Sequence, residues 1–155
     1  MRIYLQDHHA GSTTGLELAR RIRGNNKGNE YGDAMAKIVD EIAADKKALE
    51  GIMEDLGFGT DTIKDLGGWA LEKVGRLKLN GQITGYSPLS RVIELEGLLT
   101  GITGKVGLWA ALLELAPDEP RLDAAQLERL RERGESQRAT VEELRERAAR
   151  EAFTG

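Results

Sequence analysis

Cysteine is absent from this 155-residue chain. That excludes disulfides, cysteine-bound zinc, iron–sulfur ligation and thiol nucleophiles. Histidine is nearly absent: only His8 and His9 occur, side by side, so a site drawing three histidines from one chain is excluded. Aromatic residues make up 5%, too few for the stacking platforms that hold single-stranded nucleic acid. Charge of one sign is lacking as well. With 22 basic and 26 acidic residues the net charge is -4, which leaves no basic field for nucleic acid or an anionic membrane. Neither is expected as a partner. No long uncharged run exists. The most apolar stretch, Leu89 to Ala116, is interrupted by Arg91, Glu94, Glu96, Lys105 and Glu114, short of the roughly 18 uncharged residues that span a bilayer. Ile3, Tyr4 and Leu5 are too brief an apolar run for an export signal, so a soluble cytoplasmic protein is expected.

What is present suits one core: 40% apolar and 31% charged residues over 155 positions predict a single helical-bundle domain, 1–155. Breaks occur at Gly24 to Asn29, Gly57 to Asp61, Asn80 to Pro88 and Ala116 to Pro120, and all three prolines lie in or beside them. Between the breaks, apolar residues recur at three and four, not two, so the class is all-α. The spacing predicts long helices over about 2–23, 31–56, 88–116 and 123–153, with a shorter one over 61–79. Ser87 followed by Pro88 is an N-cap signal, and Asp123 with Gln126 reads as a capping box. Short connections make the first two and the last two long helices antiparallel hairpins, joined by a crossover segment over 57–87. If that segment crosses the bundle, or if its helix packs as a full fifth member, the second and third long helices run parallel.

At about 100° per residue each helix acquires a face. On the first, Leu5, Leu16, Ala19 and Ile22 are inward, with His8 near the middle of that side and His9 on its margin. The second carries a stripe from Tyr31 to Leu56 with Asp45 at its edge, and the fourth a stripe from Leu127 to Ala152 interrupted by Gly134 and Gln137. The third is apolar over most of its circumference, as expected of a central helix or one covered by a second subunit. Gly97, Gly101 and Gly104 form a strip on it, and Gly11 and Gly15 a matching pair on the first helix. Glycine inside a helix costs about 1 kcal/mol relative to alanine, so these five are expected to form a seam where two backbones touch. Gly101→Leu should then force the helices apart.

Hairpin counting puts several inward polar residues at one level. His8 falls beside Asp45, Asp45 beside Lys105, and that layer beside Gln137; Glu94 also faces inward, near Arg145. Buried polar groups are costly unless paired. His8, Asp45, Glu94, Lys105 and Gln137 therefore form either a hydrogen-bonded layer that fixes helix register or a ligand or metal site in the bundle core, unless some of them are exposed. Lys105 argues against a divalent cation, because its ammonium already supplies positive charge. No cofactor is predicted, and a metal ion is kept as the alternative.

Other motifs lack essential parts. Gly101-Ile102-Thr103-Gly104-Lys105-Val106 has Leu99 where a phosphate loop needs glycine and Val106 where it needs Ser or Thr. No Gly-x-Ser-x-Gly exists for a serine triad. Lys73, Arg76, Lys78 and Asn80 end the short helix with anion-binding potential or as a solvated helix end. The Arg/Glu mixture of the last helix reads as a solvated face, though its apolar seam is also suited to a partner helix.

The layout of two hairpins joined by a long crossover resembles the ferritin-like four-helix bundles. The Asp7-His8-His9-Ala10-Gly11 start, with Ser87-Pro88-Leu89-Ser90, is also similar to bacterial bundle proteins of this size. The resemblance implies fold, not chemistry. The di-iron members carry Glu-x-x-His on two helices, and here the second and fourth helices hold no histidine, so no metal ligand transfers. Three functions remain: first a non-enzymatic bundle that binds itself or a protein partner, second a degenerate ferritin-like protein holding a metal or small anion in its core, and third, more weakly supported, an enzyme using His8 as general base.

Overall fold

The computed structural model describes residues 1–58 and 86–154. These residues form four α-helices and no strand: α1 (Arg2–Asn25), α2 (Glu30–Asp55), α3 (Pro88–Leu115) and α4 (Ala124–Thr154). The helix expected over 61–79 lies outside the described residues, as does the anion site expected at Lys73, Arg76, Lys78 and Asn80.

Local chemistry sets the ends. Asn29 caps α2 with its side-chain oxygen, which accepts from the Tyr31 and Gly32 amides at 3.0 and 3.2 Å. Gly28, at φ 83, turns the chain just before it in a conformation that only glycine adopts freely. At the other end Gly57 takes φ 77, its amide donates to Glu54 O at 2.9 Å, and the Phe58 amide donates to Met53 O at 2.8 Å. That paired closure is a Schellman motif. Ser87 Oγ accepts from the Ser90 amide at 3.1 Å with Pro88 at the first helical position, and Asp123 Oδ1 accepts from the Gln126 amide at 3.1 Å.

Contacts between helices fix the levels. Arg91 lies 4.2 Å over the Tyr31 ring, and Lys105 meets Asp45 at 2.5 Å; both pairs are sixty residues apart, so α2 and α3 hold one offset along the bundle. His9 meets Glu50 near one end of the α1–α2 pair, and Asn26 meets Asn29 at the other. Between α1 and α3, Arg21 pairs with Glu94 at 2.8 Å. Between α2 and α4, Tyr31 Oη donates to Glu151 at 2.8 Å.

Asn26 ties the turn end together. It is 1% exposed, its Nδ2 donates to Ile22 O at 2.8 Å and Tyr86 Oη at 2.9 Å, and its Oδ1 accepts from Arg91 Nε at 2.8 Å. Arg91 also pairs with Glu151 at 2.7 Å. Burial, and then the hydrogen bond to Glu151, pushes the Tyr31 phenol up to about 12, so it stays protonated as a donor.

The apolar core falls into two parts. One gathers Leu16, Ile22, Met35, Leu95, Leu98 and Val141 among others. The other gathers Leu5, Leu49, Met53, Leu108, Trp109 and Leu127. Each fully buried leucine contributes about 1.5–3 kcal/mol. All four helices interrupt their apolar stripe at the level between the two: around Gly11 on α1, at Asp45 on α2, at Gly104 and Lys105 on α3, and from Arg133 to Gln137 on α4. The functional candidates lie in this intervening layer.

Val92, Leu95, Leu98, Ile102, Leu108, Trp109 and Leu112 are the buried residues of α3, while Leu89, Ile93 and Leu115 are exposed. By length and composition alone α3 is apolar enough to cross a membrane. Its charges Arg91, Glu94 and Glu96 cluster near its start, and Lys105 and Glu114 follow.

Candidate functional site

Asp45 is the centre of the intervening layer. Its carboxylate is 1% exposed. Oδ2 accepts from Lys105 Nζ at 2.5 Å and from Gln137 Nε2 at 3.1 Å. Oδ1 accepts from Arg133 Nε at 2.7 Å, and a second guanidinium nitrogen joins the same oxygen. Lys105 Nζ also donates to Gln137 Oε1. Three helices are thereby joined through one carboxylate, and both of its oxygens and the Gln137 carbonyl are paired, as a buried ionic set requires. Desolvation lowers the Lys105 ammonium below its ordinary value, opposed by the attraction of Asp45.

Of the expected cluster, Asp45, Lys105 and Gln137 meet. His8 and Glu94 do not join them. His8 is half-buried and packs edge-to-face on Tyr4 with ring centroids 4.6 Å apart; it is not among the hydrogen-bond partners of Asp45. His8 lines the inward cleft with Tyr4, Gly11, Ser12 and Gly15, as expected, and the residue expected on the margin, His9, turns inward as well. His9 is the buried one, 5% exposed, and its Nε2 lies 3.0 Å from Glu50 Oε1. The physical reason is a rotation: neighbours on a helix point about 100° apart, and the sparse apolar stripe of α1 between Leu5 and Leu16 does not fix the turn that brings His9 in beside His8. Glu94 lies near the other end of α3, between Arg21 at 2.8 Å and Tyr86 Oη at 3.0 Å. The Arg145 expected beside it pairs with Glu142 instead.

Arg133 was not anticipated. It sits in the Arg/Glu mixture of α4, and the available signal was its spacing of four residues before Gln137, which puts both on one face.

The glycine seam is corrected too. A β-carbon at Gly11, Gly15, Gly101 or Gly104 would have nothing within 4 Å, and one at Gly97 would touch only Leu18 Cδ2 at 3.5 Å. No backbone contact exists there. α1 and α3 stand apart, and the missing side chains leave a cleft of about 310 Å³ between them. The genuine close approaches are elsewhere: a β-carbon at Gly134 would meet Val106 Cγ2 at 2.8 Å, and one at Gly32 would strike the Asn26 carbonyl.

Tyr4, His8, Gly11 and Gly15 form the α1 wall of the cleft, and Gly101, Gly104 and Lys105 the facing α3 wall. Ile42, Asp45 and Leu49 of α2 form its floor, and Leu108 and Trp109 close one end. The lining is chiefly apolar, with the Asp45–Lys105 pair set into it. Ser12, Thr13 and Thr14, on the same stretch of α1, return their hydroxyls to the carbonyls of His9 and Ala10. That satisfies the side chains within their own helix.

Because Gly101 and Gly104 face open space, Gly101→Ala and Gly104→Ala should each stabilise the fold by about 1 kcal/mol through helix propensity alone. Urea denaturation measures it, and destabilisation would restore the touching seam.

His8 gives the cleft a pH response. Burial lowers its imidazole below the ordinary value, with Asp7 pulling the other way. On acidification below about pH 6.5 the unfolded chain takes up this proton before the folded one. Stability is thus complete above the ordinary imidazole value and falls as pH drops through the lowered one. His8→Gln should flatten the melting-temperature profile between pH 7 and 5, and an unchanged profile would assign the acid response elsewhere. At Glu50, burial pushes the carboxyl up, but the hydrogen bonds from Lys46 and His9 outweigh it and hold the carboxyl below its usual range, so its contribution is lost only at lower pH.

Among the described residues no three metal-ligating side chains converge. Both Asp45 oxygens are already committed to Lys105, Arg133 and Gln137. Compared with known proteins, the chain matches no family model, no curated protein and no solved structure.

Proposed function

We propose that this protein is a non-catalytic binding module: an antiparallel, ferritin-like bundle whose α1–α3 cleft takes up an apolar group. The observation that carries the reading is the cleft of about 310 Å³, walled by glycines and apolar side chains. Small-molecule sites are concave, mostly apolar and fitted with few polar groups. An engineered cavity of about 150 Å³ already admits benzene. Support for the bundle topology comes from the constant offset of Tyr31–Arg91 and Asp45–Lys105 and from the complementary pairs His9–Glu50 and Arg21–Glu94. A metal in the core is the weaker alternative, since Lys105 and Arg133 already neutralise Asp45.

Benzene should raise the melting temperature of the parent protein. It should leave Gly101→Leu unmoved, because that side chain has room to enter the cleft. Absence of a shift in the parent would overturn the reading.

Self-association is the second reading. It is favoured by exposed apolar residues at one end of the α3–α4 pair: Leu89 is 45% and Phe153 70% exposed, and the Arg91–Glu151 contact brings those chain segments level. Light scattering across a dilution series tests it. A dimer that Phe153→Glu dissociates supports it, and a monomer at all concentrations removes it.

A further inference from the structure

A second concavity, of about 500 Å³, lies where α1 ends and α2 begins. Its lining is charged: Arg20 and Arg23 of α1, Lys27 of the turn and Asp33 of the first turn of α2, with Gly24, Gly28 and Gly32 among them. It shares no residue with the α1–α3 cleft. Three cations face one carboxylate, an excess of two positive charges in a chain whose net charge is -4. None of these four charged side chains holds an ion pair among the described residues. Their neighbours do. Arg21 pairs with Glu94, Lys37 with Glu41 and Arg147 with Glu30, so those carboxylates are already taken. A β-carbon at Gly24 or Gly28 would meet nothing within 4 Å, which leaves the space between the cations open. The carbonyl end of a helix attracts cations only within the last turn. That accounts for Arg23, while Arg20 lies a turn earlier.

We propose that this concavity binds a phosphate dianion, free or as the phosphoryl group of a small ester, between Arg20, Arg23 and Lys27. Two negative charges match the excess of two positive ones. A guanidinium presents a planar fork of N–H donors that fits phosphate oxygens, and a lysine adds a compact point charge. No existing ion pair has to break first, because the three cations hold none. A monoanion would leave one charge unmatched. Concavities of this size accept whole small molecules, so a phosphate alone leaves room for the organic part of an ester. The side chains are exposed, so each contributes modestly and the affinity falls as salt rises.

Inorganic phosphate and glycerol 3-phosphate serve as probes, titrated into the full chain at about pH 7.5, where the phosphate is mostly the dianion. Ionic strength is held constant, with chloride as the matched control. The amide resonances of Gly24, Gly28 and Gly32 report binding. Phosphate should shift them saturably, and chloride should not. Arg20→Gln, Arg23→Gln and Lys27→Gln should each weaken binding about two- to fivefold, and the three together should abolish it. Asp33→Asn should strengthen it by a similar factor, because it removes the one opposing carboxylate. Arg138→Gln takes the same charge from α4, outside the concavity, and should leave the affinity unchanged. Tighter binding of glycerol 3-phosphate than of phosphate assigns the ester, and equal or weaker binding assigns the free ion. If phosphate moves the glycine resonances no more than chloride does, the proposal is overturned. It is overturned equally if Arg138→Gln weakens binding as much as Arg23→Gln, since the attraction would then be that of the whole surface.

Discussion

Asp45→Ala is expected to destabilise the protein by about 3–5 kcal/mol, the penalty for leaving a buried charge without its partner. In a chain of this length that corresponds to a fall in melting temperature on the order of 10 °C. The two cations it abandons differ. Arg133 has a side chain 35% exposed and can turn out to water, so its loss is small. Lys105 has a side chain only 14% exposed and its aliphatic stem is fixed between the two apolar clusters. It must give up its proton, already loosened by desolvation, or draw water into the layer. Gln137, 1% exposed, also loses the acceptor for its amide nitrogen. Asp45→Asn should fall between the two, since it preserves shape and one acceptor while removing the charge. Replacing the set together, with Asp45→Leu, Lys105→Met and Gln137→Leu, should recover most of the loss, because packed hydrophobic residues often match a buried ionic cluster in stability. Chemical denaturation of the single and triple variants decides it. A loss below about 1 kcal/mol for Asp45→Ala would mean that Lys105 reaches water with little movement.

Asp45, Lys105 and Gln137 could be placed together from the sequence because level along a bundle depends only on residue count and turn position. Ser87-Pro88 and Asp123 announce helix starts because a cap is a local hydrogen bond. Rotation about a helix axis is a different matter. It is set by the breadth of the apolar stripe, and on α1 that stripe thins to Ala10 between Leu5 and Leu16, so the burial of His9 beside the cleft-lining His8 was not legible. Glu94 was misplaced for a related reason: its partners Arg21 and Tyr86 come from α1 and the segment before α3, outside the α3–α4 hairpin used to count its level. Glycine patterns are ambiguous in their own way. A strip such as Gly97, Gly101 and Gly104 records missing side chains, which fits a touching backbone and an open cleft equally well. Gly134, the α4 glycine in contact, is isolated in a polar helix and reads only as an interruption. Asn26, in a break rich in glycine and asparagine, carries no sequence mark that sets it apart from Asn25.

Gly32→Ala should reverse the usual sign of a glycine-to-alanine change within a helix. Propensity favours alanine by about 1 kcal/mol, and the backbone of Gly32 is not among those with positive φ. Space decides instead. A β-carbon there would lie on the Asn26 carbonyl oxygen and 2.8 Å from its carbon. Backbone can yield to such a clash only by moving the whole turn. The turn is held on several sides: Asn26 O accepts from the Asn29 amide, Asn26 Nδ2 from the same residue reaches Ile22 and Tyr86, and Asn26 Oδ1 receives Arg91. Shifting it would strand Arg91 Nε and loosen the Asn29 cap that starts α2. The expected loss is about 3 kcal/mol or more, at the upper end for overpacking. Gly101→Ala is the matched control, with the same atoms added to open space and a gain of about 1 kcal/mol. Urea denaturation of the two variants under one set of conditions gives the comparison. Equal stabilities would show the Asn26 turn free to slide. A loss at Gly32 beside a gain at Gly101 would establish that the pinned end of the bundle is where α1 and α2 meet, and that the α1–α3 face beside it is free to open around a ligand.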